Sequence, residues 1–270
     1  MTAAPTTETA ATRPATTPLL DVSGIGISFG GLTAVRDFWL QLPPGGLYGL
    51  IGPNGAGKTT CFNLLTGIYA PDTGTIHLAG RQVNGLRAHQ IAAAGLARTF
   101  QNIRLFGELS VLDNVRLGAQ MRHHHGLPGT LLRLGRHIGA ERRVAEESFA
   151  LLDLFKLADR ANWQAKNLPY GDQRRLEIAR ALATQPKVLL LDEPAAGMNP
   201  QEKVELMELI RFVQSQFQVG ILLIEHDMKL VMNICQRITV LDHGEIICAG
   251  TPGEVQCDPK VIEAYLGEPG

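Results

Sequence analysis

The sequence predicts an α/β fold: a largely parallel sheet covered by helices, with a block of further helices inserted into it. Three observations carry this reading. Leu47 to Ile51, Lys187 to Leu191 and Gly220 to Ile224 are short, nearly continuous apolar runs, the pattern of strands buried on both faces. Helical stretches are expected beside them, from Lys58 to Leu65 after the first run and from about Gln201 to Gln216 between the other two. From about Ala88 to Thr184 the apolar positions mostly recur at helical spacing, as in Ala145 to Leu157 and Leu176 to Leu182.

In chain order, residues 1–18 (MTAAPTTETAATRPATTP) are rich in Thr, Ala and Pro and hold nothing that buries a core, so they are expected to form a disordered tail. They lack an apolar h-region and so do not read as a secretory signal. From Leu19 the pattern is strand-like, broken at Gly30-Gly31 and Gly45-Gly46, and Thr75 to Leu78 with Ala79-Gly80-Arg81 reads as one arm of a hairpin. One domain is expected over 19–268, with a helical subdomain inserted at roughly 95–184. No internal repeat is visible.

The 270 residues suffice for one large domain, and 45% apolar with 19% charged residues is ordinary globular composition. A formal net charge of −1 argues against a nucleic-acid binder held by bulk positive charge. Cys61, Cys235, Cys248 and Cys257 show neither CxxC spacing nor a disulfide framework, and read as reduced thiols. The apolar runs are far shorter than the roughly 20 residues of a membrane helix, so any service to a membrane is from its surface.

Gly52-Pro53-Asn54-Gly55-Ala56-Gly57-Lys58-Thr59 fits GxxxxGK[ST], set between an expected strand and an expected helix. Its glycines allow backbone N–H groups to approach phosphate oxygens, and the helix N-terminus adds partial positive charge. Lys58 supplies a full charge at the β/γ-phosphates, and Thr59 offers a hydroxyl to Mg²⁺. Leu189-Leu190-Leu191-Asp192-Glu193 is a buried strand ending in two acids whose side chains alternate, so they can serve different roles. Asp192 suits Mg²⁺ and Glu193 suits the attacking water. His226 follows the strand Gly220 to Ile224, flanked by Glu225 and Asp227, as a candidate γ-phosphate sensor. Leu168-Pro169-Tyr170-Gly171-Asp172-Gln173-Arg174-Arg175 opens a strong helix, a second anion site that an isolated enzyme of this kind does not need.

These motifs, with Gln101 in Thr99-Phe100-Gln101-Asn102 and Gly197-Met198-Asn199-Pro200, fall in the order of the ATP-binding cassette (ABC) ATPases, which the chain resembles from about Leu19 to Gly267. The resemblance implies a P-loop NTPase (RecA-like) core with an antiparallel β lobe and an inserted α-helical subdomain. By the same resemblance ATP is bound by Phe29 (stacked on adenine), Gly52, Pro53, Asn54, Gly55, Ala56, Gly57, Lys58, Thr59, Thr60, Gln101 and Gly171. Mg²⁺ would be held through Thr59, Gln101 and Asp192, and Glu193, His226 and Lys58 would be catalytic. Ala97 to Phe106, Tyr170 to Arg180, Glu193 to Pro200 and the ending Tyr265-Leu266-Gly267 resemble more narrowly the ATPase subunits of bacterial branched-chain amino acid importers.

That subgroup implies two transmembrane permease subunits, a second related ATPase or another copy of this chain, a periplasmic solute-binding protein, and a place on the cytoplasmic face of the bacterial inner membrane. Ile103 to Val115 would touch a coupling helix of the permease. A lipopolysaccharide-export ATPase is the alternative within transport. A soluble cassette ATPase acting on ribosomes or DNA is the alternative outside it, though neither a second cassette nor a coiled-coil insertion is present.

The signature loop departs from the family's Leu-Ser-Gly-Gly-Gln. Pro169 lacks the hydroxyl and the N–H, Tyr170 replaces a Gly, and Asp172 would repel phosphate unless turned away. Unequal ATP sites are therefore expected, the one completed by this loop being the weaker. His123-His124-His125 do not share a face and have no acid or Cys at ligand spacing, which argues against a metal site. Arg133, Arg136, Arg142 and Arg143 read as a solvated helical face, and Gly24-Ile25-Gly26 as no dinucleotide fingerprint.

Overall fold

The structure, a computed structural model, describes residues 17–122 and 135–266. Most of the expected disordered tail, His123 to His125, Arg133 and the final Gly267 lie outside the described residues. Two sheets share the molecule. The first is antiparallel, in the order β2-β1-β4-β5, from β1 (Leu20–Phe29), β2 (Leu32–Leu42), β4 (Thr73–Leu78) and β5 (Arg81–Gln82). The second has the order β10-β9-β3-β8-β7-β6. Its strands β3 (Leu47–Ile51), β6 (Leu96–Arg98), β7 (Val188–Asp192), β8 (Gly220–Ile224) and β9 (Arg237–Asp242) run parallel. Strand β10 (Glu245–Gly250) closes one edge antiparallel to β9.

The apolar runs are continuous because both faces of the parallel sheet are covered. Leu50, Leu190, Leu222 and Ile224 point to one face, against helix α1 (Lys58–Leu65) and the inner side of the antiparallel sheet, where Phe38, Leu40 and Phe62 are buried. Ile51, Leu189, Leu191, Ile221 and Leu223 point to the other. There they meet helices α3 (Val111–Gln120), α4 (Gly135–Leu154), α5 (Tyr170–Ala183), α6 (Pro200–Phe217) and α7 (Met228–Ile234). Asn199 starts α6 with a reciprocal cap: its side chain accepts from Glu202 N, and Glu202 accepts from Asn199 N at 2.9 Å. Helices α8 (Pro252–Cys257) and α9 (Pro259–Leu266) end the described chain.

Two details differ from the sequence expectation. Between helix α2 (Ala88–Ala94) and the helical lobe lies β6, paired in parallel with β7 through Leu96 opposite Val188. A subdomain beginning near 95 would therefore begin inside the core sheet; the chain leaves that sheet only after Arg98. Helix α4 ends at Leu154, before the expected Leu157, because Lys156 takes φ +57° and Leu157 N turns back to Leu152 O.

Within the helical lobe α3 crosses α5 at Gly118, whose absent side chain lets the backbones meet. A Cβ there would collide with the Arg180 carbonyl oxygen and press on Ala183. Gly118→Ala is expected to lower the unfolding free energy by about 1–3 kcal/mol, the usual cost of overpacking, measured by urea denaturation against wild type.

Candidate active site

Strand β3 feeds a glycine-rich loop into α1, and the packing explains the glycines. A Cβ on Gly52 would penetrate the Leu241 carbonyl oxygen of β9. One on Gly57 would stand 2.7 Å from the Ala34 carbonyl of β2. Gly57 caps α1 at φ +101° without a capping side chain, so the first-turn N–H groups remain available to an anion. Lys58 is buried, and its ammonium donates to Gly52 O at 2.7 Å and Pro53 O at 2.9 Å. Burial depresses its pKa, and the carboxylates of Glu193 and then Asp192 partly offset that.

The two acids at the end of β7 occupy different surroundings. Asp192 is buried, 2.7 Å from the equally buried Arg98 guanidinium. Arg98 also donates to Asn63 Oδ1 at 2.8 Å and lies near the Phe62 and Phe100 rings. Glu193 leaves the strand at φ +45°, a left-handed conformation that costs a non-glycine residue about 1–3 kcal/mol. Its N–H donates to Ile224 O, and its carboxylate Oε2 accepts from Gln101 Nε2 at 2.8 Å. His226 Nδ1 stands 3.8 Å from the same oxygen, on a side chain 60% exposed. Behind this loop Glu225 is buried and accepts from Ala195 N at 2.8 Å; burial raises its pKa, and that bond opposes the rise.

Asn54 to Thr60, Gln101 and Glu193 line one cavity of about 540 Å³ with Leu32 to Ala34, His243 and Gly244. That volume suits a small-molecule ligand. Phe29, Gly52, Pro53, Asp192, His226 and Gly171 are not in its lining. Phe29 ends β1 with its ring edge-on to Tyr69 at 5.2 Å, and 45% exposed. Gly171 lies in the first turn of α5, behind Pro169, which caps that helix without a side-chain bond. Asp172 is turned toward cations: Arg160 bonds it, and Arg175 stands 4.0 Å away. Thr59 and Gln101 line this cavity and offer oxygen groups of the kind a hard cation such as Mg²⁺ takes, whereas Asp192 lies outside the lining and is paired with Arg98. Among the described residues no cluster of three or more His, Cys, Asp or Glu side chains offers another metal site.

Arg98, Glu225 and Arg174 escape a reading of the sequence by motif. For Arg98 and Glu225 the local signal is a charge beside an apolar segment, as in Leu96-Ala97-Arg98; Arg174 stands among charged and polar neighbours and has no such signal.

A strand, a glycine cradle and a helix, facing an acid-tipped neighbouring strand of a parallel sheet, define a P-loop NTPase fold. Residues 35–196 match the family described as ABC transporter, and residues 245–270 match one described as Branched-chain amino acid ATP-binding cassette transporter. This chain belongs to the ABC transporter family, as a nucleotide-binding ATPase subunit whose ATP hydrolysis is coupled to transport.

It is 49% identical to the high-affinity branched-chain amino acid transport ATP-binding protein LivG of Escherichia coli (strain K12), covering 93% of this chain and 98% of LivG. The counterpart BraF of Pseudomonas aeruginosa is 47% identical over 93% of this chain and 98% of its own. The lipopolysaccharide export system ATP-binding protein LptB of Acidithiobacillus ferridurans is more distant, 36% identical over 93% and 97%. Among solved structures, the ADP conformation of MJ1267, an ATP-binding cassette of an ABC transporter, superposes with a TM-score of 0.81 at 29% identity, covering 94% of this chain and all of that one.

Arg98→Leu would strand the buried Asp192 carboxylate without its cation. Removing one partner of a buried pair costs about 3–5 kcal/mol, so a drop of that size in urea-unfolding free energy is expected.

Proposed function

We propose that this chain drives an importer of branched-chain amino acids or related small polar solutes. The observation that carries this reading is the 49% identity to LivG over nearly the whole of both chains. The match of residues 245–270 to the branched-chain amino acid cassette family supports it independently.

Within the site, the loop N–H groups of Gly52 to Thr60 and the Lys58 ammonium would hold the triphosphate, with Phe29 against the adenine. Thr59, Gln101 and Asp192 would hold Mg²⁺, which when bound neutralises charge on the β- and γ-phosphoryl oxygens. Glu193 would orient and polarise the attacking water, with Gln101 fixing its carboxylate and His226 facing the γ-phosphate. The support is geometric: Lys58, Thr59, Gln101 and Glu193 share one cavity. Gly171, in the first turn of α5, would complete the ATP site of a second subunit, either a related ATPase or another copy.

The permease surface would be the groove of about 550 Å³ between the core and the helical lobe, lined by Ile68, Ile91, Phe100, Phe106, Leu117 and Met121. Phe106 is 53% exposed there and falls within Ile103 to Val115. Among the described residues no helix is long and apolar enough to cross a membrane. Attachment to two permeases would hold the chain at the cytoplasmic face of the inner membrane, with a periplasmic solute-binding protein completing the assembly.

Purification of the membrane complex on a tagged copy, followed by mass spectrometry, tests the reading. Two permeases, a second ATPase and an amino-acid binding protein are expected; export components in their place would move the chain to the lipopolysaccharide branch. Glu193→Gln is expected to retain ATP binding while turnover falls about 10²–10⁴-fold, the range for a lost general base. Lys58→Ala is expected to weaken ATP binding about 10- to 100-fold, as loss of a charged hydrogen bond implies, measured by equilibrium nucleotide titration.

A further inference from the structure

Helix α5 is bonded to both loops that carry the Gln101–Glu193 pair. Arg174, fully buried, donates to Phe100 O at 2.7 Å and to Gln101 O at 2.8 Å. Glu177 balances its charge at 2.8 Å and also accepts from Arg104 N at 3.1 Å, so the ion pair grips the glutamine loop on both sides. One turn earlier, the Tyr170 hydroxyl donates to Ala196 O at 3.0 Å and lies 3.4 Å from Arg174 Nη2. Ala196 N in turn donates to Glu193 O at 3.2 Å. The Gln101 amide on the Glu193 carboxylate closes the circuit.

Apolar side chains at both 174 and 177 would fill the same space without burying a charge, and a buried ion pair is weak as a source of stability. What the arginine provides is directional: a fixed fork of donors aimed at two consecutive carbonyls of one loop. Tyr170 is 44% exposed, so its packing alone does not account for its bond to Ala196.

We propose that Tyr170 and Arg174 are positioning residues that set the Gln101–Glu193 pair, coupling the first turn of α5 to this subunit's own hydrolytic carboxylate. The proposal rests on Glu193 being that carboxylate. Tyr170 and Gly171 are adjacent, so a nucleotide docked against this turn by a second subunit would bear on the Ala196 loop and through it on Glu193. The position where the family has a small signature residue would thus carry a tether between sites.

The test is a kinetic cycle on the transporter complex purified with the tagged full chain, reading ATP turnover in wild-type and Gln101→Ala backgrounds. Arg174→Lys keeps the charge but not the fork, and is expected to lower kcat about tenfold, the worth of one charge-assisted hydrogen bond, with the ATP KM within about twofold of wild type. In Gln101→Ala the same change is expected to cost less than about twofold, because the relay is already cut. Tyr170→Phe, at a half-exposed site where folding is not at risk, is expected to cost about threefold in both backgrounds, because its bond to Ala196 reaches Glu193 without passing through Gln101. Equal losses from Arg174→Lys in both backgrounds, wild-type turnover by Tyr170→Phe, or losses confined to KM, would overturn the proposal. Wild-type turnover by Glu193→Gln would instead remove the carboxylate from its role, a separate failure that this variant alone detects.

Discussion

Three parallel strands set the positions of the candidate site residues Lys58, Asp192, Glu193 and His226. Leu50 of β3, Ile224 of β8 and Asp192 of β7 stand side by side across the sheet. Within two residues of that row the chain turns into the glycine loop, into Glu225-His226 and into Glu193. A parallel sheet directs all its carboxyl ends to one edge, where side chains distant in sequence converge. The register is held by apolar side chains buried on both faces, and a one-residue slip would exchange the faces of a whole strand. The accuracy of the site therefore rests on leucines and isoleucines that never touch a nucleotide.

Charge at that edge is handled by three different devices. Asp192, in a buried place, is paired with Arg98, supplied by the neighbouring strand, 2.7 Å away. Glu225 is buried with no ion pair among the described residues, and burial lifts its pKa while it serves as an acceptor for the Ala195 amide. Glu193 is carried out of the strand by a left-handed backbone, into the cavity that also receives Lys58. Three acids within the span of two strand ends thus acquire an ion-paired, a hydrogen-bonding and a cavity-facing role. Burial and backbone conformation make the distinction, since carboxylates are chemically alike.

The local parts of this arrangement were legible in the sequence. The cradle from Gly52 to Thr59 is continuous in the chain, and the strand from Gly220 to Ile224 is recognisable from composition alone. Helix α6, expected from about Gln201 to Gln216, runs from Pro200 to Phe217. The rest was hidden for physical reasons. Strand β6 has three residues, too few to express a period, and lies beside a helix that masks it. The partners Arg98 and Asp192 are 94 residues apart, so only the fold reveals that they meet. Arg174 sits in a charged run at the opening of a helix, yet it is among the most buried side chains described.

The altered signature loop looks different once its neighbours are considered. Read alone, Pro169, Tyr170 and Asp172 remove a hydroxyl, a glycine and a neutral amide from a phosphate contact. In the fold Asp172 is matched by Arg160, which answers much of the repulsion its charge would otherwise bring to the turn. The hydroxyl missing at 169 is not replaced, which leaves the turn short of a donor worth about 1–3 kcal/mol to a charged ligand. Tyr170 spends its own hydroxyl on Ala196, inside the same subunit. The substitutions thus leave this turn with fewer polar groups for a ligand and with one more contact to the loop that follows Glu193. A signature built this way would grip a neighbour's nucleotide less tightly while binding its own catalytic loop more firmly, a division that favours two ATP sites with unequal tasks.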